Sequence, residues 1–296
     1  MNEKQLNRMH SGLGFVAALD QSGGSTPKAL KAYGLKGDEW HNDEEMFDLV
    51  HQMRTRIITS PAFTSEHILA AILFENTMDR KVEGRYTGDY LWEEKGIVPI
   101  LKIDKGLAEE ADHVKMMKPI PGLDETLERA HRERHIFGTK ERSVIYDYDE
   151  AGIRKIVDQQ FEIAGKVSSH DMVPFIEPEV DIHNPHKEES EKLLKQCFFE
   201  HLSKLPDSAK VIFKLTIPTV PDFYQDLMKE KHVVRVVALS GGYTQDHACE
   251  LLAENHGMIA SFSRALAQDL RLQQTDEEFN KTLNSAIEKI YQASIA

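Results

Sequence analysis

The chain has only two cysteines, Cys197 and Cys249, so no disulfide framework holds it together. Two reduced thiols fit a cytoplasmic protein. Long apolar runs are missing too. The longest, about Ile68 to Phe74, falls far short of the ~20 residues that span a bilayer. Residues 1–10 are polar and lack the apolar core of a secretory signal. Positive charge is also scarce: 36 Lys and Arg stand against 49 Asp and Glu, a formal charge of −13. Sequence-independent nucleic-acid binding needs surplus cations on one face, so that class is excluded. The expectation is a soluble, cytoplasmic chain with neither nucleic acid nor membrane as partner. Its oligomeric state cannot be read from the sequence.

No low-complexity stretch or Pro/Gly/Ser-rich linker divides the 296 residues. Short β-rich apolar runs instead alternate with longer amphipathic stretches. The runs are Gly14–Asp20, Ile68–Phe74, Ile97–Asp104, His135–Lys140, Val173–Val180, Lys210–Pro218, Val233–Ser240 and Met258–Arg264. Runs this apolar suit strands covered on both faces, as in a parallel sheet. Between them, Met46, Val50, Met53 and Ile57 recur at helical spacing, as do Ile153, Ile156, Val157, Phe161 and Ala164. Thr26-Pro27 reads as a helix start, Gly34 as a stop, and Thr275 with Glu278 as a capping box. Eight strands in an α/β chain of this length predict a single (β/α)₈ TIM barrel over residues 1–296.

The polar residues fall at the strand ends, where such barrels place their active sites. Asp20 ends the first run, Lys102 and Asp104 the third, and Lys140 the fourth. Glu177 and Glu179 lie in the fifth, Lys214 in the sixth, and Ser240-Gly241-Gly242 and Arg264 end the last two. Charges in a barrel interior are costly unless paired, so their joint placement at one end points to chemistry.

Lys214 sits inside Val211-Ile212-Phe213-Lys214-Leu215. Desolvation there, with Lys102 and Lys140 nearby, should lower its pKa and leave an amine able to attack a carbonyl. The plainer reading is a lysine snorkelling from a strand edge. Glu177 and Glu179 alternate at period two and should share a face, where one carboxyl could serve as general acid/base. They could equally just neutralise Lys140 or Lys214. The Ser240-Gly241-Gly242 turn with Arg264 reads as a phosphate site, and Ser22-Gly23-Gly24-Ser25 as a second. Either glycine pair alone also fits an ordinary turn.

Other patterns fail on context. Gly12-Leu13-Gly14-Phe15-Val16-Ala17 opens a strand, whereas a dinucleotide fingerprint follows one. His131 and His135 are four apart, but Glu133 is one place off the H-E-x-x-H pattern, and His183 and His186 flank Asn184-Pro185 in a predicted loop, so no metal site is expected.

Taken in order, these motifs resemble class I fructose-1,6-bisphosphate aldolases, the Schiff-base type. Ala17-Ala18-Leu19-Asp20, Val98-Pro99-Ile100-Leu101-Lys102-Ile103-Asp104-Lys105-Gly106, Val173-Pro174-Phe175-Ile176-Glu177-Pro178-Glu179, Leu239-Ser240-Gly241-Gly242 and Ser261-Phe262-Ser263-Arg264 carry the resemblance across nearly the whole chain. It implies metal-independent, cofactor-free, reversible cleavage of fructose 1,6-bisphosphate into dihydroxyacetone phosphate and glyceraldehyde 3-phosphate, in glycolysis and gluconeogenesis. It implies Lys214 as the Schiff-base lysine and Glu177 as general acid/base, with Glu179, Lys140 and Asp20 tuning charge and positioning substrate. Ser240, Gly241 and Arg264 would hold the C1 phosphate. Lys102, Ser22 and Ser25 would face the C6 phosphate, with Arg142 as a further contact.

The chain departs from the family at several positions. Gln21 replaces a common Glu, Glu141 an aromatic residue, Leu215 a proline, and Phe262-Ser263 a Tyr-Gly pair. It also ends at Ala296 without the C-terminal tyrosine that many members use in proton transfer, which makes Tyr291 a candidate substitute. Two alternatives remain. One is a Schiff-base aldolase for a related ketose such as tagatose 1,6-bisphosphate. The other is a non-catalytic sugar-phosphate-binding barrel, for which the set Lys214, Lys140 and Glu177 would be superfluous.

Overall fold

In the computed structural model, which describes residues 2–21 and 26–296, each of the eight predicted runs contains a strand. These are β1 (Phe15–Ala18), β2 (Ile68–Phe74), β3 (Val98–Lys102), β4 (Gly138–Ile145), β5 (Val173–Val180), β6 (Val211–Thr216), β7 (Val233–Leu239) and β8 (Ile259–Ala260). Each pairs in parallel with the next in chain order. The ring closes where the Ala18 N–H donates to the Phe262 carbonyl at 3.2 Å. The fold is a (β/α)₈ barrel.

Period-two alternation decides what points inward. Val16 and Ala18, Ala70 and Ile72, Val98 and Ile100, Val173 and Phe175, and Ile212 pack together as the inner core, closed below by Met9. Burying each larger aliphatic side chain contributes about 1.5–3 kcal/mol. Two residues further along the same alternation stand Asp20, Lys102, Glu177 and Lys214, so the face that is oily low in the barrel becomes ionisable at its carboxyl end. The opposite strand faces, with Phe15, Ala71, Ile176 and Phe213, pack under the helices as a second core.

The longer helices are α1 (Glu3–Ser11), α2 (Thr26–Ala32), α3 (Asp43–Thr59), α4 (Leu123–Arg132), α5 (Glu150–Ser169), α6 (Lys187–Leu202), α7 (Gln245–Ala253) and α8 (Asp276–Ser294). The predicted capping box opens α8, with Thr275 and Glu278 satisfying each other's backbone N–H groups. α1 lies across the amino end of the barrel, where Arg235 donates to the Met9 and Gly12 carbonyls, both at 2.9 Å. Two crossovers carry no long helix. Short turns and a hairpin (Lys81–Val82 with Arg85–Tyr86) join β2 to β3, and a 3₁₀ turn (Leu227–Lys229) lies between β6 and β7.

β4 differs most from expectation. It was predicted at His135–Lys140 but begins at Gly138 and runs on to Ile145. His135 has φ +52°, which belongs to a turn. The run Lys140-Glu141-Arg142-Ser143 hides the strand because both faces are polar. Gly138 starts it for a steric reason: a Cβ there would stand 2.2 Å from the Val173 carbonyl oxygen. β8, by contrast, is shorter than its apolar run.

Candidate active site

A cavity of about 1330 Å³ opens at the carboxyl ends of the strands, ample for a small-molecule ligand. Asp20, Lys102, Lys140, Arg142, Glu177, Glu179, Lys214, Ser240, Gly241, Gly242 and Arg264 all line it. Ser22 and Ser25 lie outside the described residues. The fold therefore brings these eleven expected site residues together in one cavity.

At the floor of the cavity, two lysines share one carboxylate. Lys214 Nζ lies 3.1 Å from Glu177 Oε1, and Lys140 Nζ lies 2.9 Å from Glu177 Oε2. Lys140 also reaches Asp20 Oδ2 at 2.7 Å. All four side chains are nearly withdrawn from solvent, at 3–11% exposure, so their charges must balance locally. Burial works against charge on Lys140, yet Asp20, Glu177 and Asp104 outweigh it and hold the ammonium well above its ordinary pKa. Burial likewise opposes ionisation of Asp20, but Lys140 and Lys214 keep its carboxyl well below the usual carboxylate range. Lys140 is thus a fixed cation beside Lys214. β6 is held in place just beyond Lys214: Thr216 Oγ1 donates to the Val180 carbonyl at 2.6 Å and accepts the Val180 N–H at 3.0 Å.

Glu179 pairs with Arg142 at 2.5 Å, an ion pair on the cavity wall. Lys102 is engaged within its own strand end, 2.8 Å from Asp104 Oδ1 and 2.7 Å from the Asp104 carbonyl. Asp104 was not singled out from the sequence as a site residue. It also accepts from the Gly106 and Arg142 backbone N–H groups, both at 3.2 Å, and so ties the ends of β3 and β4 together.

Across the cavity, Gly241 and Gly242 take φ values of +58° and +114°. A Cβ on Gly241 would collide with Ile182 Cγ2 at 2.6 Å, and one on Gly242 would stand 3.4 Å from the Arg264 guanidinium. The positive φ values favour glycine at both positions, and the paired backbone and guanidinium suit a phosphate. Ser261 also lines the cavity. Its hydroxyl is buried with no partner among the described residues, which suits it to a ligand oxygen.

Tyr291 does not reach this site. It packs edge-on against His67, ring centroids 4.5 Å apart, and His67 immediately precedes β2 at the amino end of the barrel. Helical periodicity fixed which face of α8 is buried but not which end of the barrel that part of the helix meets. No tyrosine lines the cavity among the described residues.

A parallel barrel whose carboxyl rim converges on buried lysines and carboxylates defines an enzyme of the (β/α)₈ lyase class. The family model described as fructose-bisphosphate aldolase class-I matches residues 4–217. The class 1 fructose-bisphosphate aldolase of Clostridium acetobutylicum is 60% identical over 295 residues, covering 100% of each chain. The chain belongs to the class I fructose-bisphosphate aldolase family. Among solved structures, Plasmodium falciparum fructose-bisphosphate aldolase shares the fold at TM-score 0.73 and 20% identity, covering 99% of this chain and 94% of its own. Cgl0159 of Corynebacterium glutamicum aligns at TM-score 0.54 and 11% identity, over 99% and 92% of the two chains.

Proposed function

We infer that the chain cleaves fructose 1,6-bisphosphate reversibly through a Schiff base on Lys214, acting in glycolysis and gluconeogenesis as one cytoplasmic barrel unit. The observation that carries this reading is the sharing of one buried carboxylate, Glu177, by Lys214 and Lys140. Glu177 takes the Lys214 proton, freeing the amine to attack the C2 ketone. Lys140, held in its charged state by Asp20, Glu177 and Asp104, is a fixed cation 2.9 Å from the other oxygen of the same carboxylate. Glu177 gives the proton it took to the departing hydroxyl of the carbinolamine, so that water leaves, an iminium forms and the carboxylate is restored. The C3–C4 bond then breaks, its electron pair passes into the iminium to form an enamine, and the C4 hydroxyl proton passes to Glu177. Glyceraldehyde 3-phosphate leaves. Protonation of the enamine at C3 and hydrolysis of the iminium release dihydroxyacetone phosphate and restore Lys214.

Ser240, Gly241, Gly242 and Arg264 hold the C1 phosphate in this reading. Lys102 faces the C6 phosphate. Glu179 orients Arg142 as a further phosphate contact, and Asp20 positions Lys140.

Borohydride reduction in the presence of dihydroxyacetone phosphate, followed by peptide mapping, tests the mechanism. The expected adduct is on Lys214; an adduct elsewhere overturns the assignment. Cleavage abolished by EDTA with no adduct would point to a metal-dependent route. A coupled assay with fructose and tagatose 1,6-bisphosphates reads the preference at C4, and bisphosphate binding without turnover would replace catalysis by a binding role.

A further inference from the structure

The barrel is weakest where its first and last strands meet. β8 is only two residues long, and the backbone bond from Ala18 to Phe262 closes the seam. Just above that bond, toward the cavity, the Gln21 side-chain amide donates from Nε2 to Ser263 Oγ. The two residues are 242 positions apart, and both line the cavity. Gln21 is itself held from behind. Its carbonyl accepts from the Arg54 guanidinium, which also donates to Thr77 Oγ1 at 2.7 Å and lies 4.7 Å from the Phe74 ring centroid. Arg54 is 1% exposed and cannot easily move. A rigid buried cation therefore fixes Gln21, and Gln21 fixes Ser263. The next residue is Arg264, whose guanidinium sits against Gly242.

The direction of the bond matters. A serine hydroxyl carries one proton and two lone pairs. By accepting from Gln21, Ser263 keeps its own O–H free to donate into the cavity. A carboxylate at position 21 could only accept, so it would claim that proton and place a negative charge beside an anion site.

We propose that Gln21 and Ser263 form a latch across the β1–β8 seam, and that the Ser263 hydroxyl, aligned by the Gln21 amide, is a further donor to the phosphoryl group held by Ser240, Gly241 and Arg264. The ligand chemistry is a phosphomonoester dianion. Gln21 is the positioning residue, and the inference rests on the phosphate assignment above.

Binding of dihydroxyacetone phosphate and of D-glyceraldehyde 3-phosphate should be measured for Ser263→Ala, Gln21→Glu, Ser263→Thr and Arg264→Ala, together with steady-state kinetics on fructose 1,6-bisphosphate. A hydrogen bond to a charged group predicts that Ser263→Ala raises Kd for dihydroxyacetone phosphate and KM for the bisphosphate by about tenfold, with a much smaller change in kcat. Gln21→Glu should weaken binding at least as much. Ser263→Thr should restore most of the loss, and binding of D-glyceraldehyde 3-phosphate should not change. If Ser263→Ala leaves dihydroxyacetone phosphate binding intact while Arg264→Ala weakens it, the latch is overturned and the phosphate site stands. If Arg264→Ala also has no effect, the phosphate assignment itself falls. Equal weakening toward both triose phosphates would make the pair merely structural and would also overturn the proposal.

Discussion

The Lys140 ammonium stands 2.7 Å from Asp20 Oδ2, joining β4 to the end of β1 across the barrel. Two intervening strands separate these elements in the ring, so the ion pair spans the interior rather than following the ladder. Removing the cation leaves Asp20 and Glu177 buried with less compensation. Lys140→Met should therefore destabilise the fold by about 3–5 kcal/mol at neutral pH, as broken buried ion pairs do. The penalty has a pH signature. The folded-state pKa of Asp20 lies below its ordinary value near 3.8, so its stabilising contribution is present above that value and is lost as pH falls through the folded one. Urea titrations should show the gap between wild type and variant holding from pH 7 to about pH 4 and narrowing only below it. A gap that stays constant would mean that packing, not charge, is what the lysine supplies.

Gly138 sets the height of Lys140 in the barrel. A Cβ at position 138 would lie 2.2 Å from the Val173 carbonyl oxygen, and backbone cannot yield as a side-chain tip can. Gly138→Ala should separate β4 from β5, cost about 1–3 kcal/mol, and move Lys140 relative to Glu177. Thermal unfolding and kcat should fall together. A variant with lowered Tm and unaltered kcat would show that the strain is absorbed away from the site.

Tyr291 packs on His67 at the amino end of the barrel. Tyr291→Phe keeps the ring against the imidazole and removes only the hydroxyl. It should leave kcat and KM within experimental scatter and leave the rate of enamine protonation, followed by proton exchange at C3 of dihydroxyacetone phosphate, unaltered. Slowed exchange would require this end of α8 to reach the cavity in solution.

The strand alternation made much of the site readable. Asp20, Glu177 and Lys214 are polar residues at inward positions of otherwise apolar strands, and that contradiction is visible in one dimension. β4 was harder, because Lys140-Glu141-Arg142-Ser143 offers polar residues to both faces and so conceals its period. Pairings that depend on the closing of the ring could not be seen at all. Gln21 and Ser263 are at opposite ends of the chain, and each stands out in the sequence only as a separate departure from the family pattern. The same holds for Arg54, a buried cation whose partners are a carbonyl, a hydroxyl and a ring, and whose pKa burial lowers to about 9.

Glu141 occupies the outer face of β4, between Lys140 and Arg142, fully buried. One carboxyl oxygen accepts from Thr139 Oγ1 at 3.1 Å and the other has no partner among the described residues. Burial raises its pKa well above the ordinary 4.5, with Asp104 and Glu177 adding to the rise, Lys140 opposing it, and the Thr139 bond also lowering it. Gln160 packs alongside, donating to the Glu141 carbonyl at 3.0 Å and to Ser143 Oγ at 2.9 Å, with its own Oε1 unpartnered. Above pH 4.5 the unfolded chain releases the Glu141 proton while the folded chain keeps it. The folded state then binds more protons than the unfolded one, so stability falls as pH rises, by up to about 1.4 kcal/mol per pH unit until the folded pKa is reached. Glu141→Gln has nearly the same shape, replaces the unpartnered carboxyl oxygen or its neighbour by an amide donor, and does not titrate. The variant should match the wild type near pH 4 and exceed it by a margin that widens toward pH 8, as read by denaturant unfolding across that range. In infrared difference spectra, the protonated-carboxyl band of the wild type at neutral pH should disappear in the variant. A margin that stays flat with pH would mean that Glu141 is ionised in the folded protein and has found a cationic partner.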